Sequence, residues 1–402
     1  MRLKDVASVN LRSLNESTRD DYTFKYIDIS SVSFADGITL GDDIIFADAP
    51  SRARRVVKKG DVLISTVRTY LRAIADIDWD AENIIASTGF AVYTPNNKIN
   101  TRFLAYAAKS TEVINQICAN SKGVSYPAIQ APILSAVEIP YFDIKAQEAI
   151  AAYLDRECEK IGRQIELLER KADAYKRLLR SLINRAVTRG LAPNAPLKPS
   201  GLRRNSHIPQ NWHVGRIRNY FDFRNEKVSE IDFAPLSVTK NGVVPQMDNV
   251  AKSMAEGNTR KKVCKDDFVV NSRSDRKGSC GTSPMDGSVS LIYIVLKPTQ
   301  INPKFADYYF RCNDWVEEFY RNGKGIVADL WTTNYSIMRN IEIALPPYIE
   351  QQQIAAYLDE KCDKIDAIIE KISTQVERLK ELKRSLINEV VTGKRATTTC
   401  KP

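Results

Sequence analysis

The sequence predicts an α+β protein built as an internal duplication. Two mixed α/β globular domains are each followed by one long helix, and the two helices pair as an antiparallel coiled coil about a pseudo-two-fold axis. Three observations carry this. A block of sequence recurs 204 residues downstream. Apolar residues in both copies of the block repeat in alternating steps of four and three. The stretch before each block holds strand-like runs closed by turn residues, then one run with helical spacing.

The repeat is ungapped. AAYLD occupies 151–155 and again 355–359, CEKI at 158–161 answers CDKI at 362–365, and RSLIN at 180–184 returns at 384–388. These divide the chain into a globular segment 1–145, a helix 146–190, a linker 191–206, a second globular segment 207–346 and a second helix 347–395. Just upstream the copies look offset by two, since Pro140 to Ile150 spans ten steps and Pro346 to Ile354 eight.

The globular segments come first in each half. In the first, 56–68 reads as a Gly-Asp turn and a β-branched strand, 84–95 as a strand closed by Pro95, and 101–119 as a helix. In the second, 261–273, 289–298 and 303–322 repeat that order, and Lys122-Gly123 and Lys324-Gly325 follow in corresponding places. The loops between these elements differ strongly. A shared scaffold with divergent loops suits two readers of different targets, and drift is the plain alternative.

The helices carry a heptad seam, which in the first copy runs Leu154, Cys158, Ile161, Ile165, Leu168, Ala172, Tyr175, Leu179, Leu182 and Ala186. In the second it runs Leu358, Cys362, Ile365, Ile369, Ile372, Val376, Leu379, Lys383, Leu386 and Val390, broken only by Lys383. Two unrelated amphipathic core helices would also show apolar stripes. Nine matched steps in both copies favour pairing with each other. Linker length chooses the direction. About 43 residues make a rod of roughly 65 Å, whereas a 16-residue linker reaches at most about 55 Å. An antiparallel pair needs almost no travel.

Composition narrows the function classes. The net charge is +10 and the pI about 9.1, which suits a polyanion without proving one. Residues 1–145 balance to zero, whereas 191–346 carry +6. Seven scattered cysteines without a CxxC pair argue against a disulfide framework and a zinc site. The two histidines, His207 and His213, fall in a loop-like stretch. No apolar run approaches the ~18–20 residues of a membrane span, and the N-terminus lacks a signal-peptide core, so a cytoplasmic protein with no membrane partner is expected.

The order of globular domain, AAYLD…RSLIN helix, second domain and second AAYLD…RSLIN helix resembles Type I restriction–modification specificity subunits over essentially all of 1–395. The segments 139–155 and 345–359 look like that family's lead-ins to its spacer helices. The resemblance implies two target-recognition domains, each reading one half of a split, asymmetric site in double-stranded DNA, with the coil setting the gap. It also implies two modification (methyltransferase) subunits that use S-adenosylmethionine. Restriction (translocase/endonuclease) subunits would use ATP with Mg2+.

No cofactor, metal or catalysis is expected in this chain itself. Leu345-Pro346-Pro347-Tyr348 looks like an amino-methyltransferase motif, but its first residue cannot accept a hydrogen bond from an amine. The tetrapeptide instead suits a strand end and a helix start. No phosphate-binding glycine loop is present, and 277–281 is too short for one.

Affinity for DNA should come from Lys and Arg on phosphates, and sequence reading from fewer contacts to base edges. In the first domain the candidates are Arg52, Arg54, Arg55, Lys58, Lys59, Arg68, Tyr70 and Arg72, then Lys122, Ser125, Tyr126 and Gln130. In the second they are Arg260, Lys261, Lys262, Asn271, Arg273, Arg276 and Lys277, then Lys324, Asn334 and Tyr335, with Trp331 in the same loop. Each could instead be an ordinary solvated residue. The alternative function is a rod-like protein-interaction adaptor with two end domains.

Overall fold

A computed structural model of the chain describes residues 1–34, 37–246, 259–325 and 331–396, the side chain of Ser274 excepted. Cys400 lies outside the described residues. The chain forms two compact units. One is Met1–Arg170 with the chain from Ile372 onward, and the other is Lys171–Lys371.

The first unit is built on an antiparallel sheet in the order Ala7–Val9, Phe90–Pro95, Val62–Ser65, Ile74–Asp76. Its central strand is covered on both faces. Val62 and Ile64 join one core with the helices Thr101–Ala108 and Thr111–Ala119, while Leu63 turns to a second core with Phe90 and Val92. This two-sided burial is why the strand reads as a continuous apolar run. A second sheet runs Asp43–Ile45, Thr23–Ile27, Ile84–Ser87, Ala53–Val56, with one parallel pair at its centre.

The second unit repeats the first sheet's order with Phe221–Arg224, Tyr293–Pro298, Phe268–Asn271 and Cys280–Thr282. Phe268 and Val270 face the helices Pro303–Arg311 and Asn313–Arg321, and Val269 faces the other way. A three-stranded sheet joins Lys227–Val228, Arg260–Val263 and Gly287–Ser290.

Several sequence expectations resolve more finely. The run 84–95 is two strands of different sheets, because Thr88-Gly89 turns the chain between them. The helix 101–119 breaks at Ser110, whose hydroxyl caps the next helix at Val113 N. The strand signals at 261–273 and 289–298 likewise split at turns, and the helix at 303–322 breaks at Cys312. The 191–206 linker is not simply extended. Leu197–Pro199 pairs antiparallel with His207–Pro209, and His213 sits in a strand paired with Glu342–Leu345, so neither histidine is in a loop.

The two long helices are Ile144–Arg189 and Tyr348–Val391. Asp143 caps the first at Ala146 N, and Gly190, with φ +76°, ends it. Leu345 closes a strand and Tyr348 opens the second helix, as expected for the Pro-Pro pair between them. Seam residues of both helices are buried or half-buried, while the off-seam Leu167, Leu178 and Leu382 are exposed.

Within the first unit, Leu154, Cys158 and Ile161 share a core with Leu386, Ile387 and Val390, so the start of one helix meets the end of the other. Within the second, Ala186 and Val187 share a core with Ile354, Ala355 and Leu358. Both pairings run antiparallel.

The lead-ins to the helices carry no offset. Buried Gln147 accepts from Asn100 N and donates to Phe142 O. Buried Gln351 accepts from Asn302 N and donates to Pro346 O. Gln147 and Gln351 are 204 residues apart, so the register is continuous and Pro140 and Pro346 are simply not counterparts.

Tyr106 and Arg102 bond Asp155 in the first unit, and Tyr308 and Lys304 bond Asp359 in the second. Burial, with the neighbouring carboxylate, pushes both tyrosine hydroxyls up.

The seam predicts its own mutational signature. Leu154 is fully buried and Leu167 is 64% exposed. Leu154→Ala is expected to destabilise the protein by about 2–5 kcal/mol, and Leu167→Ala by under about 0.5 kcal/mol, in denaturant titrations. Equal losses would contradict the burial pattern.

Candidate nucleic-acid interface

In the first unit, backbone hydrogen bonds draw four separate stretches to one tip. Thr88 N donates to Arg52 O at 2.8 Å, and Thr66 N to Gly89 O at 2.8 Å. Ile129 N donates to Thr66 O at 2.9 Å, and Arg68 N to Pro127 O at 2.8 Å. Lys122 and Ala128 exchange two bonds, closing a hairpin loop in which Val124, Ser125 and Tyr126 are exposed. Gly123 has φ +110°, and a Cβ there would sit 3.1 Å from Tyr126 O. The sequence-predicted Arg52, Arg68, Tyr70, Lys122, Ser125, Tyr126 and Gln130 are gathered here, all exposed.

Other candidates are not part of this tip. Lys58 and Lys59 lie at the opposite end of the Val62–Ser65 strand, where Lys58 N bonds Asp61 and Lys59 pairs with Asp80 at 3.1 Å. Arg54 is half-buried over the Phe46 ring and donates to Ala53 O. Arg55 is half-buried, and its Nε makes no hydrogen bond. Arg72 lies half-buried toward Phe34, its pKa lowered by burial and by Arg384.

The second unit closes its tip with counterpart bonds. Thr333 N donates to Ser272 O at 2.9 Å, and Lys324 and Thr332 exchange two bonds at 3.1 Å. Ser272 Oγ donates to Ile292 O at 2.8 Å, bringing in the turn that carries exposed Leu291 and Ile292. Arg273, Arg276, Lys277, Lys324 and Trp331 are exposed, with Lys277 paired to Glu317 at 2.5 Å and Arg273 near Asp275 at 3.7 Å. Asn334 is exposed and caps the short helix Tyr335–Met338 at Ile337 N. Tyr335 stacks on Phe223, their centroids 4.0 Å apart.

Three candidates here are committed inward. Lys261 is buried, its ammonium donating to Tyr293 O at 2.7 Å, and burial lowers its pKa. Asn271 is buried and accepts from Arg273 N. Arg260 is half-buried and gives both Nε and an NH2 to Ser288. Lys262 pairs with Glu226. The strand's period of two explains the miss: Lys261 points into the sheet, between neighbours that do not.

Exposed Val124, Leu291 and Ile292 were not predicted. Val124 signals itself as an apolar residue in a loop of small and polar residues, whereas Leu291 and Ile292 sit inside an apolar run that reads as a strand.

Burial elsewhere is structural. Asp61 is buried against Arg12, Lys58 N and the Thr94 hydroxyl, and Asp267 against Arg224 at 2.6 Å. Among the described residues no cluster of His, Cys, Asp and Glu could hold a metal ion, and no helix is long and apolar enough to cross a membrane.

Comparison with known proteins bears on the whole chain. The Type I restriction modification DNA specificity domain matches residues 1–171 and 209–378. The putative type I restriction enzyme MjaX specificity subunit of Methanocaldococcus jannaschii is 25% identical over 98% of this chain and 92% of its own length. The MjaVIII specificity subunit of the same organism is 22% identical, covering 79% and 77%. Among solved structures, a chain from work on complex assembly and conformational transition of the type I R-M system superposes with a TM-score of 0.71 at 21% identity, covering 98% and 97%. The HsdS subunit from Thermoanaerobacter tengcongensis gives 0.52 at 21%, covering 98% and 96%. These likenesses share the fold.

The sorting of cations is testable by salt dependence. Lys122→Ala is expected to weaken duplex DNA binding and reduce the slope of log K against log salt by about 0.9. Lys261→Met, if folded, is expected to leave that slope unchanged. A matching loss of slope in Lys261→Met would count against the assignment.

Proposed function

Because the chain belongs to the Type I restriction modification DNA specificity family, we propose that its two units are two readers. Each takes one half of a bipartite, asymmetric site in double-stranded DNA. The paired helices hold the two halves at a fixed gap and dock two modification subunits on their outer faces. Methylation with S-adenosylmethionine, and translocation and cleavage with ATP and Mg2+, belong to the partner modification and restriction subunits.

One observation carries this reading: counterpart hydrogen bonds close both tips, but around different side chains. The loop between Lys122 and Ala128 holds five residues and that between Lys324 and Thr332 holds seven. A constant frame under variable contacts suits recognition of two unlike sequences. Exposed Arg and Lys beside Tyr70, Tyr126 and Trp331 favour a nucleic acid over the protein surface that an end-domain adaptor would need.

The measuring role gives the decisive experiment. One heptad inserted after Arg170 and another after Lys371 lengthen the paired helices by roughly 10 Å, about three base pairs of duplex. Methylome sequencing of cells expressing the variant with its modification partner is expected to show both half-site sequences kept and the gap about three base pairs longer. An unchanged gap, or altered half-sites, would overturn the reading.

A further inference from the structure

Among the described arginines of the first unit that lie over an aromatic ring, Arg68 alone is both exposed and without a side-chain hydrogen bond. Its guanidinium lies over the Tyr126 ring, 4.5 Å from the centroid, and the residue is exposed. Arg54 also lies over a ring, but spends an N–H on Ala53 O. Arg102 lies over Tyr106, but is bonded to Asp76 and Asp155. Stacking uses a face of the guanidinium and leaves its edge donors pointing outward.

The backbone holds Arg68 in place. It has φ 50° and ψ 49°, and Arg72 has φ 55° and ψ 40°, so two non-glycine residues in the left-handed region bracket the turn Thr69–Leu71. A residue keeps that conformation only where its surroundings impose it, and such positions concentrate where function needs a fixed geometry. Here the surroundings are explicit. Arg68 N bonds Pro127 O, Ser65 Oγ donates to Val67 O at 2.7 Å, and Thr69 Oγ1 bonds Ser121 Oγ at 3.0 Å. The bond to Pro127 O ties the arginine to the loop that supplies the ring.

We infer that Arg68, held on Tyr126, reads a guanine in the half-site of the first unit through its O6 and N7, with Tyr126 as the positioning residue. The inference rests on the first unit being a half-site reader. A planar fork of N–H donors in one orientation matches guanine's paired acceptors. A phosphate contact would need only charge at the right distance, and the flexible side chain of Lys122 would serve. In the second unit the bridge to Thr332 is made by Arg273, where the first unit has Val67, and Ser274 follows in Arg68's place. The second unit thus has no arginine at the corresponding position, and the contact assigned to Arg68 belongs to the first half-site.

The test is methylome sequencing of cells carrying the full chain and its modification partner. The half-site of the first unit is the one that changes when residues 1–145 are exchanged with a relative's. Arg68→Lys and Arg68→Ala are expected to make one guanine position of that half-site degenerate, leaving the gap and the other half intact. Tyr126→Ala is expected to relax the same position, and Tyr126→Phe to keep it. A motif unchanged in Arg68→Ala would overturn the inference. So would an even fall in methylation at every site, as from a lost phosphate contact, or a first half-site without guanine.

If an Arg68 variant gives no methylation, the wild-type complex answers on synthetic duplexes. 7-Deazaguanine, which lacks the N7 acceptor, replaces each guanine of that half-site in turn. One position is expected to weaken binding, by less than the roughly 5- to 150-fold that a whole bidentate pair is worth, and equal binding at every position overturns the inference. A wild-type motif that is not split at all would sink the two-reader reading instead, which separates the two failures.

Discussion

Neither unit closes its core with its own local sequence. The first needs Leu386, Ile387 and Val390, some 230 residues downstream, packed on Leu154, Cys158 and Ile161. The second takes Ala186 and Val187 from the first long helix and Ile354 and Leu358 from the second. Each long helix thus supplies one end to each unit. Burying a leucine side chain stabilises by roughly 1.5–3 kcal/mol, so losing one helix end would remove a share comparable to a domain's whole net stability. The first unit's core is completed only when the last part of the chain is made, which lengthens its contacts in sequence.

That shared core constrains how the frame can vary. Buried Gln147 and Gln351 each tie a helix lead-in to the N-cap of a domain helix, and Asp155 and Asp359 each receive a tyrosine hydroxyl from it. These contacts fix where the domain helices stand on the long ones. The tips are free of them. They are closed by strand-end backbone hydrogen bonds and a few small Ser and Thr side chains, so exposed residues such as Tyr126 and Trp331 can differ without disturbing the frame. Fixed support beneath variable contacts is what the proposed reading of two unlike sequences with one scaffold requires.

Legibility in the sequence followed periodicity. The seam was readable because a two-helix interface repeats every three or four residues, and the burial of Ile161, Ile365, Ile372 and Leu386 follows it. The helix at 101–119 was readable in type but not in its break, since Ser110 acts as a cap through one hydroxyl that spacing does not reveal. The strands of 84–95 merged because both are apolar on both faces, and only the turn at Thr88-Gly89 separates them. The apparent two-residue offset arose from matching prolines, whereas Gln147 and Gln351 mark the true register. At the tips, charge marked stretches that the fold gathers, but not which of their side chains are exposed. Lys261 looks like a contact residue beside Arg260 and Lys262, yet strand alternation buries it. Arg68 owes its place to a left-handed backbone and an aromatic partner 58 residues away, neither of which any local pattern encodes.

The antiparallel seam is the proposition most open to direct measurement. Glu159 and Arg384 are exposed, neighbour the Cys158–Lys383 contact region of the first unit, and can carry spin labels once the native cysteines are replaced. Pulsed electron–electron distance measurement on the full chain is predicted to give a short, narrow distribution for labels at Glu159 and Arg384. A short distance between labels at Glu159 and Asp363, with a long one between Glu159 and Arg384, would mean that the helices run side by side in the same direction, and would contradict the account.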